Sequence, residues 1–357
     1  MNNDELVLSS AQRLFSDVAD IQSVIASRDG AWKQALWNGI EETGLNIAAV
    51  PEELGGAGIG LQSSLGILRV AGRMALSTPL AETMLAAWML GAAGLEVPSG
   101  KLAFGPASFA DRLTLKGDRI SGTLARLPFA RDCGQAVVLV ESADSLVVAL
   151  IALDASMISA RESLAYEPVD FVTLNDCRII ASAPAPASFT PETSLLMGAA
   201  ARAMQIAGAL EQILALTSEY VTQRRAFEKT ISKFQSVQHS VAQLAGEVAV
   251  SLSASASASE ALEQLLAQGR SFDDPELVLE IISAKVRASS AAQKGAAIAH
   301  QMHGAIGVTS EHALHRLTLR ALAWRDDYGN ESEWATRLGQ RVCAQGEQAL
   351  WPLLAKR

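Results

Sequence analysis

The 357-residue sequence has few cysteines and no excess of positive charge. Cys133, Cys177 and Cys343 are far apart and odd in number, which argues against a disulfide framework and against a CxxC metal site. The formal net charge of -9 argues against a nucleic-acid partner, because phosphates require a basic protein face. It does not argue against a small anionic ligand, since binding of such a ligand depends on local charge.

Uninterrupted apolar runs are also missing. The most apolar stretches, 81–95 and 194–216, are short or contain polar residues such as Arg202 and Glu211, so no membrane-spanning helix is expected. Residues 1–15 are acidic and amphipathic, and they lack the basic start and apolar core of a secretory signal. The sequence therefore predicts a cytoplasmic protein without a membrane partner.

The composition provides enough apolar residues for a large core. Hydrophobic residues make up 49% of the chain and charged residues 19%, and the length fits two or three packed units. From Glu5 to Leu95 apolar residues recur at helical spacing, with a Gly-rich interruption at 51–60. The interruption is a weak candidate for a phosphate-binding loop, since no strand precedes it and no Gly-Lys-Ser/Thr follows. The range 1–100 is therefore predicted to be an N-terminal α-helical domain.

Short runs of β-forming residues follow, separated by turn signals such as Lys116-Gly117-Asp118. The runs cover residues 113–115, 136–140, 146–152 and 171–174. They predict a small, antiparallel middle β domain over 101–187. Residues 181–187 are predicted to be a linker, because their prolines are unsuited to a helix or a central strand.

The range 188–357 is predicted to be a C-terminal antiparallel four-helix bundle, because long helical patterns are joined by short loops. Thr190-Pro191-Glu192 and Asp274-Pro275-Glu276 read as helix starts, with a capping side chain followed by proline. The expected helices are 191–224, 235–268, 275–303, 310–325 and 331 to the end. The predicted fold class is thus multidomain α and β, in the order helical domain, β domain, bundle.

Three segments carry a family resemblance. They are residues 37–58, with Pro51-Glu52-Glu53-Leu54-Gly55-Gly56; residues 224–239, with Arg224-Arg225-Ala226-Phe227 and Gln235; and residues 301–312, with Gln301-Met302-His303-Gly304-Ala305-Ile306-Gly307. Their order and separation resemble those of the acyl-CoA dehydrogenase family, whose signatures include Arg-x-x-Phe-Gly…Gln and Gln-x-x-Gly-Gly-x-Gly. The resemblance implies the family fold, FAD as cofactor and an acyl-CoA substrate.

The residue types in these segments agree with binding of a diphosphate. Arg224 offers a planar fork of donors, and Phe227 could cover an adenine or ribose face. Small residues at Gly304 and Ala305 would let a diphosphate approach backbone N–H groups. Plainer roles are also open, with Arg224 paired to a helix end or to Glu228 and Phe227 in the core. The resemblance implies that six residues contact the FAD of a neighbouring subunit: Arg224, Phe227, Gln235, Gln301, Gly304 and Ala305.

Histidines near the third segment are weak candidates for chemistry. His303 is expected to be a packed or hydrogen-bonded ring rather than a catalyst. His300, His312 and His315 lie near Glu311, but no further ligand set completes a metal site, so no metal is predicted.

The family's catalytic carboxylate has no counterpart at its usual place. In the family it is a Glu in a Tyr-Glu-Gly-Thr-like turn, and Tyr328 occupies this position before Gly329. A phenol of ordinary pKa near 10 is a poor base for an α-proton at neutral pH. A minority of the family carries the base on the first bundle helix, which corresponds to residues 197–199 and contains no acid. Glu331 is the candidate substitute, although it and the nearby Asp327 and Glu333 equally suit the cap of a helix starting near residue 331.

Two further departures concern the flavin side of the site. The family's Thr-Glu-Pro-x-x-Gly-Ser-Asp-like loop is reduced to residues 104–111, and Glu228 replaces the glycine after Phe227. The pattern resembles the non-catalytic subunit of heteromeric acyl-CoA dehydrogenases that act on bulky, steroid-type CoA thioesters. The partners so implied are an acyl-CoA substrate, a second acyl-CoA dehydrogenase subunit and an electron-transfer flavoprotein. A self-sufficient homo-oligomeric enzyme and a non-catalytic flavin- or CoA-binding scaffold are the alternatives.

Overall fold

The computed structural model describes residues 3–27, 30–142, 145–346, 348 and 350–355. Helices, a β-sheet and a second set of helices follow one another along the chain, which confirms the predicted fold class. The first set comprises α1 (Asn3–Ala19), α2 (Ile21–Ala26), α3 (Trp32–Glu42), α4 (Leu61–Arg73) and α5 (Leu80–Ala92). None of the described helices is long and apolar enough to cross a membrane.

A seven-stranded sheet follows the first helices. Its strands are β1 (Leu102–Gly105), β2 (Arg112–Lys116), β3 (Arg119–Pro128), β4 (Gln135–Glu141), β5 (Leu146–Ala152), β6 (Ile158–Ser159) and β7 (Val169–Pro184). The order across the sheet is β1-β4-β5-β7-β3-β2, and β6 pairs with β7. All pairings are antiparallel except that of β1 with β4. The four predicted β runs lie in β2, β4, β5 and β7.

The predicted linker at 181–187 is wrong for its first four residues. Strand β7 continues to Pro184, which is paired with Val147 of β5. The pairing of β7 with β3 ends at Arg178, so the last residues of β7 have a sheet neighbour on one side only. Proline is tolerated there because its missing N–H leaves no bond unmade on the open side.

Six helices and a two-stranded hairpin form the C-terminal part. They are α6 (Thr193–Gln223), β8 (Arg225–Ala226), β9 (Lys229–Thr230), α7 (Gln235–Ala267), α8 (Pro275–His303), α9 (Ala313–Trp324), α10 (Glu331–Gln345) and α11 (Leu350–Ala355). The Asp274 cap is confirmed, since its carboxylate accepts from the N–H groups of Glu276 and Leu277. The predicted start at Thr190 is wrong: α6 begins at Thr193, and Glu192 instead pairs with Arg337 and Arg341 of α10.

Two glycines bring the N-terminal helices onto the bundle. A methyl group on Gly72 would lie 2.1 Å from the carbonyl oxygen of Gln205, and one on Gly208 would lie 2.0 Å from that of Arg69. Helices α4 and α6 therefore pack backbone against backbone, as only residues without a Cβ allow. This contact helps to hold the N-terminal helices against α6, which carries part of the site described next.

Candidate functional site

The two predicted cofactor motifs lie at the same end of the bundle. Helix α6 ends at Gln223, α7 begins at Gln235 and α8 ends at His303, so the antiparallel arrangement gathers these three ends. The Tyr220 ring stacks on the His303 ring with centroids 4.4 Å apart, and its hydroxyl donates to the His303 carbonyl at 3.2 Å. The end of α6 is thereby joined to the start of the Gly-rich segment.

The first motif is a tight hairpin. Phe227 and Glu228 form its tip in the left-handed region, at φ 50° and 66°. Arg225 folds back and donates to the Glu228 carbonyl at 2.8 Å, whereas Arg224 is exposed and has no ion-pair partner among the described residues. Phe227 is 88% exposed, so it is not a core residue. Both Arg224 and Phe227 are available to a ligand outside this chain.

The second motif presents a similar open surface. Gln301 in the last turn of α8 and Gln235 in the first turn of α7 are exposed, and the structure pairs neither side chain with a described residue. Gly304 has φ 65° and ψ -144°, a conformation restricted to glycine, and a methyl group on it would meet no atom within 4 Å. Ala305 beside it is exposed. Open backbone next to amide donors fits an anionic diphosphate.

Two histidines, His303 and His312, form hydrogen bonds next to the second motif. His303 is buried, and its Nδ1 donates to the Ala299 carbonyl at 2.9 Å. The Nδ1 of His312 accepts from the N–H of Leu314 at 3.1 Å, which caps α9 and requires that nitrogen to be unprotonated. Burial lowers the pKa of both rings below 6.5. Neutral histidines are therefore part of the folded form of this segment.

Packing closes the place at which the base is expected, Tyr328. Tyr328 is 1% exposed, and a methyl group on Gly198 of α6 would lie 2.1 Å from Cδ1 and Cγ of its ring. The ring of Phe104 lies 6.2 Å away by centroid. Burial raises the pKa of the Tyr328 phenol well above 10, and its hydroxyl has no hydrogen-bond partner among the described residues. Tyr328 fills space and is unsuited to accept a proton at neutral pH.

A buried ionic network adjoins the Tyr328 ring. Arg202 lies 5.5 Å from the ring centroid, forms an ion pair with Glu82 and donates from Nε to Asp327 at 3.0 Å. Its Nη1 donates to Gln205 at 2.6 Å. Burial raises the pKa of Glu82, although the charge of Arg202 opposes this. Paired charges of this kind tolerate burial because each satisfies the other.

Lys285 holds the turn that carries Tyr328. Its ammonium group is fully buried and donates to the carbonyls of Trp324 at 2.7 Å and Asp327 at 2.8 Å. Burial lowers the pKa of Lys285 to about 7. The last carbonyls of α9 thus obtain a partner from α8.

The reduced loop at 104–111 packs onto the same turn. Asp111 organises this loop, since its carboxylate accepts from the N–H groups of Ala107, Ser108 and Ala125 at 2.7, 2.9 and 2.6 Å. Phe109 contacts Trp334 edge to face at 4.9 Å. A methyl group on Gly329 would lie 2.7 Å from Phe109 Cε2. Aromatic side chains therefore fill the space between this loop and the turn at 328–330.

Comparison with known proteins agrees with this arrangement. The family model described as "Acyl-CoA dehydrogenase, C-terminal domain" matches residues 190–330. The acyl-CoA dehydrogenase FadE28 of Mycobacterium tuberculosis is 29% identical over 84% of this chain and 88% of its own length, and IpdE2 of the same organism is 28% identical over 85% of each. The chain is therefore similar to acyl-CoA dehydrogenases, which are oxidoreductases that act on the CH–CH group of an acyl-CoA.

Solved structures of this fold superpose along almost the whole chain. The structure "Tcur3481-Tcur3483 steroid ACAD G363A variant" has a TM-score of 0.82 at 23% identity and covers 96% of this chain and 98% of its own. The ChsE4-ChsE5 complex from Mycobacterium tuberculosis has a TM-score of 0.82 at 20% identity, with the same coverage. At these identities the similarity shows the fold.

The acids considered as substitutes for the acyl-CoA dehydrogenase base have local roles. Glu331 is the first residue of α10, is 30% exposed and pairs with Arg325 at 3.0 Å. Glu333 forms a capping box with Asn330 at the start of the same helix. Asp327 belongs to the Arg202 network.

Most of the ionic network around Tyr328 has only a weak signal in the sequence. Glu82 and Arg202 are lone charges in helical stretches that are otherwise apolar, and Lys285 lies between Ala284 and Val286 of α8. A charge at such a position is rarely buried unless it is paired. This signal could have indicated that the three residues have partners, although it does not identify them.

Proposed function

We propose that this chain is a non-catalytic subunit of a heteromeric, FAD-dependent acyl-CoA dehydrogenase and lends FAD contacts to a catalytic partner. The observation that carries the proposal is the packing of Tyr328 on Gly198. The family resemblance assigns its base to the position of Tyr328 or, in a minority of the family, to the stretch 197–199, and neither place holds an acid. The chain is a subunit of the enzyme without a base of its own.

The packing around Tyr328 also supports a subunit that binds FAD but has no base of its own. Abstraction of an α-proton needs a carboxylate poised beside the α-carbon, while bound FAD accepts the β-hydrogen as hydride. Tyr328, Phe104 and Phe109 fill the space in which a substrate and its base would meet. The exposed Arg224 and Gln301 remain free to hold the diphosphate of FAD that is bound mainly by a neighbour.

Similar proteins support a heteromer and a bulky substrate. The two solved structures compared above are the "Tcur3481-Tcur3483 steroid ACAD G363A variant" and the ChsE4-ChsE5 complex. By this similarity we expect a second acyl-CoA dehydrogenase chain as partner and a steroid-type CoA thioester as substrate. Electron-transfer flavoprotein is the electron acceptor that the family implies, and the assembly is expected in the cytoplasm.

The decisive experiment compares the visible spectrum and subunit composition of the chain purified alone and co-expressed with an acyl-CoA dehydrogenase encoded beside it. The expected result is a colourless chain alone and a yellow two-chain complex whose flavin is bleached by a steroid-type acyl-CoA. A chain that is yellow alone and bleaches with an acyl-CoA would overturn the proposal.

A substitution of Glu331 distinguishes a subunit without a base from a subunit that carries a displaced base. Glu331→Gln in the complex is expected to leave the rate of flavin bleaching unchanged, because Glu331 pairs with Arg325 at a helix start. Loss of bleaching in this variant, with flavin retained, would place the base in this chain. A complex that holds flavin but never bleaches with any acyl-CoA would instead favour a flavin-binding scaffold.

A further inference from the structure

A second candidate site lies on the side of the chain formed by α3, α9 and the loop before β7. It is a cleft of about 340 Å³, a volume within the range of small-ligand sites. Its walls include Trp32 and Lys33 at the start of α3, Ser77 before α5, Tyr166 before β7 and Arg316 on α9. None of the six predicted FAD-contacting residues is among the residues that line it.

The cleft is basic although the protein is acidic overall. Arg316 and Arg320 lie one turn apart on α9, and no acidic residue is among the described residues that line the cleft. Arg320 is nearly buried and pairs with Glu167 at 2.7 Å, so its charge is compensated. Arg316 has no ion-pair partner in the described part of the chain. Burial and the charge of Arg320 lower the pKa of Arg316 to about 10.

A half-buried guanidinium that has no ion-pair partner among the described residues is unfavourable unless an anion binds to it. Arg316 provides a planar fork that suits phosphate, and the exposed Lys33 adds a second positive charge. The hydroxyl of Ser77 is a further donor in the same wall. The polar groups of the cleft are therefore complementary to a phosphate.

Aromatic side chains flank these donors. Trp32 is half-buried beside Lys33, and Tyr166 stands at the cleft with 79% of its surface exposed. Tyr166 also has φ 59°, an unfavourable conformation for a bulky residue, which keeps its turn tight before β7. Exposed rings beside a basic group are a common platform for a nucleobase.

We propose that this cleft binds a nucleoside phosphate, with Arg316 and Lys33 on the phosphate and Trp32 and Tyr166 against the base. Two sources share this chemistry: a free adenine nucleotide and the phosphorylated adenosine of a CoA compound. The inference stands independently of the proposed subunit role, since it uses none of the residues at the FAD motifs or around Tyr328.

Calorimetric titration of the full chain with ADP, adenosine 3′,5′-bisphosphate and inorganic phosphate tests the proposal. We expect one nucleotide per chain, with Arg316→Gln weakening its binding by roughly tenfold or more, as loss of a charge-assisted contact implies. Tighter binding of ADP points to a free nucleotide, and tighter binding of the bisphosphate points to a CoA compound. Lys116→Gln, a charge removal on exposed β2, is the control that should leave affinity unchanged.

Three results would overturn the proposal. They are no binding of either nucleotide at millimolar concentration, binding that Arg316→Gln leaves unchanged, and phosphate binding as tight as that of the nucleotides. Lys33 is exposed, so the Lys33→Gln variant is expected to fold. If Arg316→Gln unfolds the chain, Lys33→Gln replaces it in the same titration.

Discussion

The ring of Tyr328 lies directly on the backbone of Gly198, at a distance that leaves no room for a methyl group between them. Tyr328 has φ 54°, which is costly for a bulky residue and persists where packing over-determines it. Phe104 and the guanidinium of Arg202 supply that packing. One contact thus joins the expected base position at residue 328 to the stretch 197–199, where a minority of acyl-CoA dehydrogenases is expected to carry the base.

Gly198→Ala should destabilise the chain, because the added methyl group would lie 2.1 Å from the Tyr328 ring. The expected loss in the free energy of unfolding is about 1–3 kcal/mol, measured by urea denaturation. Gly246→Ala in α7 is the matched control, since its methyl group would meet no atom within 4 Å. That control should gain about 0.5–1 kcal/mol from the higher helix propensity of alanine.

A double variant checks that the Tyr328 ring is the cause. Gly198→Ala combined with Tyr328→Ala should lose less than the sum of the two single variants, because the ring and the methyl group compete for one space. Strict additivity would contradict the contact.

Arg202→Met should cost about 3–5 kcal/mol of stability, because it leaves Glu82 buried without its counter-charge and Asp327 with only Arg126 at 3.8 Å. Arg69→Met removes the same group from an ion pair with Glu211 in which Arg69 is 46% exposed. Surface pairs of that kind contribute about 0–1 kcal/mol. Urea denaturation measures the free energy of unfolding of both variants. Equal losses would contradict the larger stabilising contribution expected of the buried Arg202 pairs.

Stability should fall as the pH drops below 6.5. The folded-state pKa values of His303 and His312 lie below 6.5 because both rings are buried, so the unfolded chain takes up protons first. The contribution of the two neutral rings to the free energy of unfolding is complete above pH 6.5. As the pH falls towards the folded-state pKa, this contribution decreases by up to about 1.4 kcal/mol per pH unit for each ring.

His312→Asn separates the titration of this residue from its capping role. Asparagine retains an acceptor for the Leu314 N–H at the start of α9 but carries no titrating group. Urea denaturation of both proteins in neutral and mildly acidic buffer should show a smaller loss for the variant. An identical loss would exclude His312 as a source of the acid sensitivity.

Arg224→Gln should weaken retention of flavin by the two-chain complex. A charge-assisted hydrogen bond contributes about 1.5–3 kcal/mol, so FAD affinity should fall roughly 10- to 100-fold. Arg13→Gln, on the exposed surface of α1, is the charge-matched control. Flavin fluorescence released on gel filtration measures the effect, and unchanged retention would remove Arg224 from the cofactor site.

The helices of the C-terminal part could be predicted closely because their signals are local. Apolar periodicity and the Asp274-Pro275 start mark α8. The expected helix at 235–268 corresponds to α7, in which the small residues Ser251 and Ser255 are buried. Strands β1 and β3 were not predicted, and β7 was predicted too short. Their pairing partners, rather than their own residues, define them as strands.

The amino-acid sequence alone predicts the order of helical and β segments, the approximate extent of the long helices, the three motifs and the lack of an acid at either expected base position. These features depend on residue types and on local spacing. The packing of the folded chain brings Tyr328 onto Gly198, joins Glu82, Arg202 and Asp327 in one network, and leaves Arg316 at a cleft without an ion-pair partner among the described residues. Such contacts join residues far apart in the chain, and they arise from how the helices and the sheet pack together, which local patterns do not encode.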